Sequence, residues 1–178
     1  MSDLYNQIVS QRGSVESLLA RIPGFRGYMD KAARRTADRM VRDHIADQLR
    51  QRIDRLAQIE RNLLDGGGLG YMSKTQSAKT KLQTFHDRVK AAAPGYSGFM
   101  EAVKVEADDL ERIYAFDEAL VRYADRFAEA LEALDSAVTA NEEVASAISV
   151  LDRLTIEANE AFSLREDVLV NISKSISG

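Results

Sequence analysis

Residues 68–75 read GLGYMSKT, one substitution away from the phosphate-cradling loop G-x-x-x-x-G-K-[ST], with Ser73 where the second glycine is required. In that loop, backbone N–H groups wrap the phosphates, the lysine reaches the outer ones and the hydroxyl ligates magnesium. The chemistry needs a buried strand immediately before the turn. Here a charged helical stretch ending in RNLLD precedes it. The segment predicts no nucleotide hydrolysis, only an anion contact at a helix start from Ser73, Lys74 and Thr75.

Other reactive constellations fail for similarly specific reasons. A carboxylate di-iron bundle requires two Glu-x-x-His pairs facing inward. The only histidines are His44 and His86, and three residues before them stand Val41 and Gln83. Both read as solvated or hydrogen-bonded imidazoles beside Asp43 and Asp87. The chain has no cysteine, which excludes disulfides, thiolate nucleophiles, zinc ribbons and iron–sulfur clusters. Acidic pairs such as Asp108-Asp109, Glu142-Glu143 and Glu166-Asp167 are sequence neighbours, so on a helix they diverge by about 100° and make solvated faces, not an acid and a base. No G-x-S-x-G elbow singles out a serine. The sequence predicts no catalytic residue, no metal site and no cofactor, and hence a protein that is not an enzyme.

Cationic side chains form two groups. Arg34, Arg35, Arg39 and Arg42 make one, and Lys74, Lys79 and Lys81, followed by Arg88 and Lys90, make the other. They are candidate contacts for an anion or an acidic partner. Asp30, Asp38, Asp43 and Asp47 interleave the first group, which disfavours nucleic acid as the ligand. Charge is split along the chain: residues 1–97 hold 17 Lys and Arg against 10 Asp and Glu, whereas 98–178 hold 7 against 18. The simplest use of that split is internal, with basic helices pairing to acidic ones through many weak contacts.

The elements that must carry these residues are helical, because apolar positions recur at spacings of three and four and nowhere alternate as in a strand. Five helices are predicted. The first covers 3–21, with Gly13-Ser14 as an interruption. The second runs from Tyr28 to Asp65, ended by the glycine-rich run at 66–70. The third runs from Ser73, as N-cap, to Ala93. The fourth spans Phe99 to Thr139, and the capping-box spacing of Thr139 and Glu142 places a turn into the last helix there. That last helix holds a seven-residue apolar repeat in which Arg165 is the one misfit.

Both prolines of the chain lie in two copies of one phrase, PGFRGYM at 23–29 and PGYSGFM at 94–100. Proline ends the preceding helix, Pro-Gly suits a type II turn, and the second glycine, Gly27 or Gly98, can cap the next helix. At an offset of 71 the inward positions from Ile45 to Leu63 overlie those from Phe116 to Leu134. The chain therefore reads as a duplicated unit, 1–66 and 71–140, plus a C-terminal helix at 141–178, all in one domain. The rings Phe25 and Tyr28, and Tyr96 and Phe99, plug two corners or, exposed, dock a partner.

The predicted fold is an all-α, elongated antiparallel bundle of about five helices, with the first and third helices each covering half of the second. Ala33 and Ala37 would then leave a thinly covered face suited to self-association. The function expected is a non-catalytic scaffold or adaptor that contacts a protein partner, including a second copy of itself. The alternative is a peripheral binder of anionic membrane or polyanion through the basic helices. No stretch of 18 apolar residues and no secretory leader is visible, so the expected location is cytoplasmic.

Overall fold

A computed structural model describes residues 3–91, 97–102 and 104–177. Within these residues all regular structure is helical: α1 (Asp3–Val9), α2 (Ser14–Arg21), α3 (Arg34–Asp65), α4 (Met72–Lys90), α5 (Ser97–Glu101), α6 (Ala107–Ala140) and α7 (Val144–Ser177), with single 3-10 turns leading into α3 and α4. None of these helices is long and apolar enough to cross a membrane. Four of them close a ring, α3 against α4, α4 against α7, α7 against α6 and α6 against α3. Short connections join α3 to α4 and α6 to α7, so each of these pairs runs antiparallel.

Buried apolar residues from all seven helices form one continuous core. The inward positions read from the periodicity are where they should be: Leu49, Leu56, Phe85, Phe116, Phe127, Leu151 and Phe162 are all fully enclosed. Each contributes about 1.5–3 kcal/mol through the surface it removes from water.

Among the described residues seven helices replace the expected five, because two breaks are sharper than propensity alone suggests. The first expected helix splits into α1 and α2 at Gly13, whose φ of 72° is left-handed and cannot continue a helix. The fourth splits into α5 and α6, and a distant side chain takes up carbonyls where it does so. Arg34 Nη1 donates to the carbonyls of Phe99 and Ala102, at 3.0 and 2.6 Å, which in an unbroken helix would accept N–H groups four residues on. Three cap assignments also change. The α6–α7 turn falls where Thr139 and Glu142 placed it, but Asn141, at φ 53°, ends α6 in the left-handed conformation and Thr139 lies inside α6, not at the start of α7. Met72, not Ser73, opens α4, without a side-chain cap. Gly27 is not the cap of α3, which begins seven residues later.

Packing corrects the expected coverage as well. α1 and α2 lie on α6, not on α3. The N-terminal half of α3 is covered from within the chain, Ala37 and Val41 being buried, so the thin apolar face expected around Ala33 and Ala37 is absent.

Candidate functional site

The first proline corner is built largely as its sequence predicts. Phe25 N–H closes a turn onto the Ile22 carbonyl at 3.1 Å, and Gly24 takes φ 81°, as the third residue of a type II turn must. Gly27 follows at φ 84°. A Cβ there would sit 2.6 Å from Tyr114 Oη, the hydroxyl that accepts the Tyr28 N–H at 2.8 Å. Glycine is required both by the backbone and by the approach of that ring. Pro94 and Gly95 of the second phrase lie outside the described residues; its Gly98 lies within α5, pressed so closely on α7 that a Cβ would meet the Ser173 backbone at 2.9 Å.

Tyr28 is the hub of what the corner holds. Its ring stacks on Tyr114 at 5.4 Å between centroids and meets Phe25 and Phe99 edge-on at 5.8 and 5.7 Å. Rings from both copies of the repeated phrase thus converge in one cluster. Phe25, Tyr28 and Phe99 are buried, which corrects their assignment as partner-docking tips; Tyr96 lies outside the described residues.

An ionic chain, legible in the sequence only as the misfit Arg165, runs inward from the Tyr28 hydroxyl. That hydroxyl donates to Asp117 Oδ2. Arg165, 1% exposed, binds Asp117 Oδ1 through Nε and Asp38 Oδ1 through Nη2, both at 2.7 Å. Asp38 Oδ2 accepts from Arg42 Nε at 2.8 Å, and Arg42 reaches on to the Lys90 carbonyl. Burial pushes the Asp117 carboxyl above its ordinary range against the pull of Arg165 and Tyr28. Burial also opposes ionisation of Asp38, but there Arg165 and Arg42 outweigh it and hold the carboxyl below the usual value. The Tyr28 phenol is driven well up by burial and by Asp117. This chain bonds α3, α6, α7 and the corner together, and none of the surface clefts described below borders Asp38, Asp117 or Arg165.

The predicted anion contacts divide accordingly. Arg34 and Arg42 are buried and spent on partners inside the chain, which corrects their assignment to an external ligand: Arg34 satisfies backbone carbonyls, and Arg42 shares the Asp38 carboxylate with Arg165 and reaches the Lys90 carbonyl. Lys79 pairs with the buried Glu60 at 2.6 Å and Lys81 with Asp152 at 2.7 Å. Arg35 meets Glu101 at 3.1 Å in full solvent, and Arg39 and Lys74 are exposed. Arg21 with Asp125 and Arg55 with Glu132 and Asp135 add to the same pattern, basic front to acidic back. In the near-miss phosphate loop, Thr75 is buried and donates to Glu60 Oε2 at 3.0 Å, so its hydroxyl faces the core. His86 Nδ1 lies 2.9 Å from Asp87, and His44 is lowered by partial burial and by Arg21. Among the described residues, no three acidic or imidazole groups gather as metal ligands.

The open surface lies elsewhere, along the seam between α6 and α7. Here α1 sits across the middle, its Ile8 buried and its Tyr5 ring 5.7 Å from Phe116. On one side of α1 is a cleft of about 550 Å³, lined by Ala130, Ala133, Val150 and Leu154 and edged by Arg126, Glu129, Arg153 and Glu157. On the other is one of about 560 Å³, with Leu164, Val168 and Ile172 along α7 and Asp109, Arg112 and Asp167 at its margin. Arg126 spans the seam to Glu157 at 3.5 Å and lies over the Tyr123 ring, whose phenol is raised by burial and by Glu157. Periodicity marks Leu154, Leu164 and Val168 as lying beside the α7 stripe; Leu154 and Val168 are buried, and only tertiary packing reveals that Leu164 and Val150 stay partly open to solvent.

Compared with protein-family models, with curated proteins and with solved structures, the chain matches none.

Proposed function

We propose that this protein is a non-catalytic helical scaffold that acts through protein–protein contacts, with the α6–α7 seam as its working face. The supporting observation is that the seam already holds one helix: α1 lies on it through Leu4, Tyr5 and Ile8, and clefts of similar size remain open on either side. Those clefts suit an amphipathic helix presenting apolar residues at i and i+4, as Leu4 and Ile8 do, with charged flanks to meet the mixed rims. The buried Tyr28, Asp117, Arg165, Asp38 and Arg42 are committed to one another, which leaves exterior faces to carry recognition.

The test is affinity capture from a lysate by the wild-type chain, by Val150→Asp and by Leu164→Asp, each checked for helicity. A partner recovered by the wild type and lost from either cleft variant supports the reading; identical recovery by all three refutes it.

One observation favours a second reading, a peripheral contact with an anionic surface. Met29, 80% exposed, is followed by the exposed Lys31, Arg35 and Arg39 where the chain enters α3. Flotation with anionic vesicles at low and high salt separates the two, since only this reading predicts binding that salt abolishes.

The elongated, duplicated arrangement belongs to the same proposal. Its support is the shared inward phase from Ile45 and Phe116 through Leu63 and Leu134. Divergence at Gly27 and Gly98, and between exposed Met29 and buried Met100, argues that the copies have since taken separate roles.

A further inference from the structure

We propose that two copies of this chain pair through the cleft at Ala130 and Ala133, with Val150 of each copy seated in that cleft on the other. This rests on the reading of the seam as a contact face and names one occupant for it.

The patch carries both a projection and a recess. Val150, 45% exposed, stands at the edge of the 550 Å³ cleft whose floor is Ala130, Ala133 and Leu154. Two-fold pairing is the one geometry in which a single patch meets itself, so knob and hole must lie on the same surface, as they do here. Alanines on α6 let the facing helix come close.

Charge complementarity suits a second copy. Across the seam Arg126 is engaged with Glu157. Glu129 on α6 and Arg153 on α7 are exposed and take part in none of the ion pairs among the described residues. They carry opposite signs on opposite walls of one cleft. A two-fold axis sets Glu129 against the other copy's Arg153, and Arg153 against its Glu129, so both charges are met at once. A uniformly basic or acidic helix would satisfy one and repel the other.

Sedimentation velocity from about 1 to 100 µM tests this, that range bracketing a moderate dimer. The wild type is expected to show a concentration-dependent dimer. Val150→Asp and Ala133→Arg, both at exposed positions, should weaken it on the order of a hundredfold. Glu129→Arg alone and Arg153→Glu alone should each weaken it by about tenfold, because every rim pair counts twice. Glu129→Arg with Arg153→Glu on one chain should restore it. A wild type that stays monomeric overturns the pairing, and if it still captures a partner that Val150→Asp loses, the scaffold reading stands without it. A dimer indifferent to both Val150→Asp and Ala133→Arg overturns this interface. Should Val150→Asp lose helicity, Ala133→Arg decides the question by itself.

Discussion

Replacing Arg165 by Met removes the cation that two buried carboxylates share. The magnitude follows from what each loses. Asp38 keeps Arg42 at 2.8 Å and so remains partly compensated. Asp117, fully enclosed, keeps only the Tyr28 hydroxyl and has no second cation within bonding distance among the described residues. A buried ion left without its partner costs about 3–5 kcal/mol. For a chain of this size each kcal/mol lowers Tm by about 2–4 °C, so the midpoint should fall by roughly 10 °C. Thermal unfolding followed by circular dichroism at pH 7 measures it. Two controls sharpen the result. Asp117→Leu combined with Arg165→Met should recover much of the loss, because an apolar pair of similar volume leaves no orphaned charge. Acidifying Arg165→Met from pH 7 towards 5 should also restore stability, since Asp117 binds its proton more readily folded than unfolded. An Arg165→Met midpoint within about 2 °C of wild type would refute the buried chain, because no mechanism then spares that cost.

Other outcomes follow from single observations. Gly27→Ala should cost about 2–3 kcal/mol from the left-handed backbone and the lost Tyr114–Tyr28 bond, and adding Tyr114→Phe should relieve the contact but not the backbone strain; chemical denaturation of both variants separates the two. In the wild type, the depressed Asp38 carboxyl supplies stability that is complete above its unfolded value near 4 and lost as pH falls through its lower folded value. Asp117, being raised, works in the opposite sense at higher pH, so Asp117→Asn should abolish any gain in Tm on mild acidification while leaving the loss at lower pH. Arg35→Ala, at the solvent-facing pair with Glu101, should change stability by less than about 1 kcal/mol, and a calorimetric loss several times larger would contradict the weak-contact view of the charge split.

What could be read from the chain and what could not differ in range. Helix phase is local: three- and four-residue spacing is enough to put Leu49, Phe127 and Leu151 inward. Gly13 and Pro23-Gly24 announce their breaks through backbone sterics alone. Where α5 and α6 divide, carbonyls are met instead by Arg34, 65 residues from Phe99, and no window along the sequence contains both. Arg165 stands out as a polar residue in an apolar repeat, but its partners Asp38 and Asp117 look like ordinary helix-face acids until α3, α6 and α7 meet. Arg34 and Arg42 mislead for the same reason: a cationic cluster on a helix looks alike whether solvent or buried carbonyls receive it. The seam escapes a sequence reading because an uncovered face depends on where α1 and α2 go, and helix lengths alone point them to α3.

Cross-linking between copies tests the seam most directly, and the absence of native cysteine makes it clean. Ala133→Cys and Val150→Cys chains, each carrying one thiol, would be mixed and mildly oxidised, with Leu64→Cys, exposed at the α3–α4 end, as control. Pairing through the seam brings residues 133 and 150 of different copies within the roughly 7 Å between Cα atoms that a disulfide tolerates. The prediction is a mixed 133–150 dimer formed well above either self-linked product and above any product with Leu64→Cys. Equal yields from all combinations would contradict it.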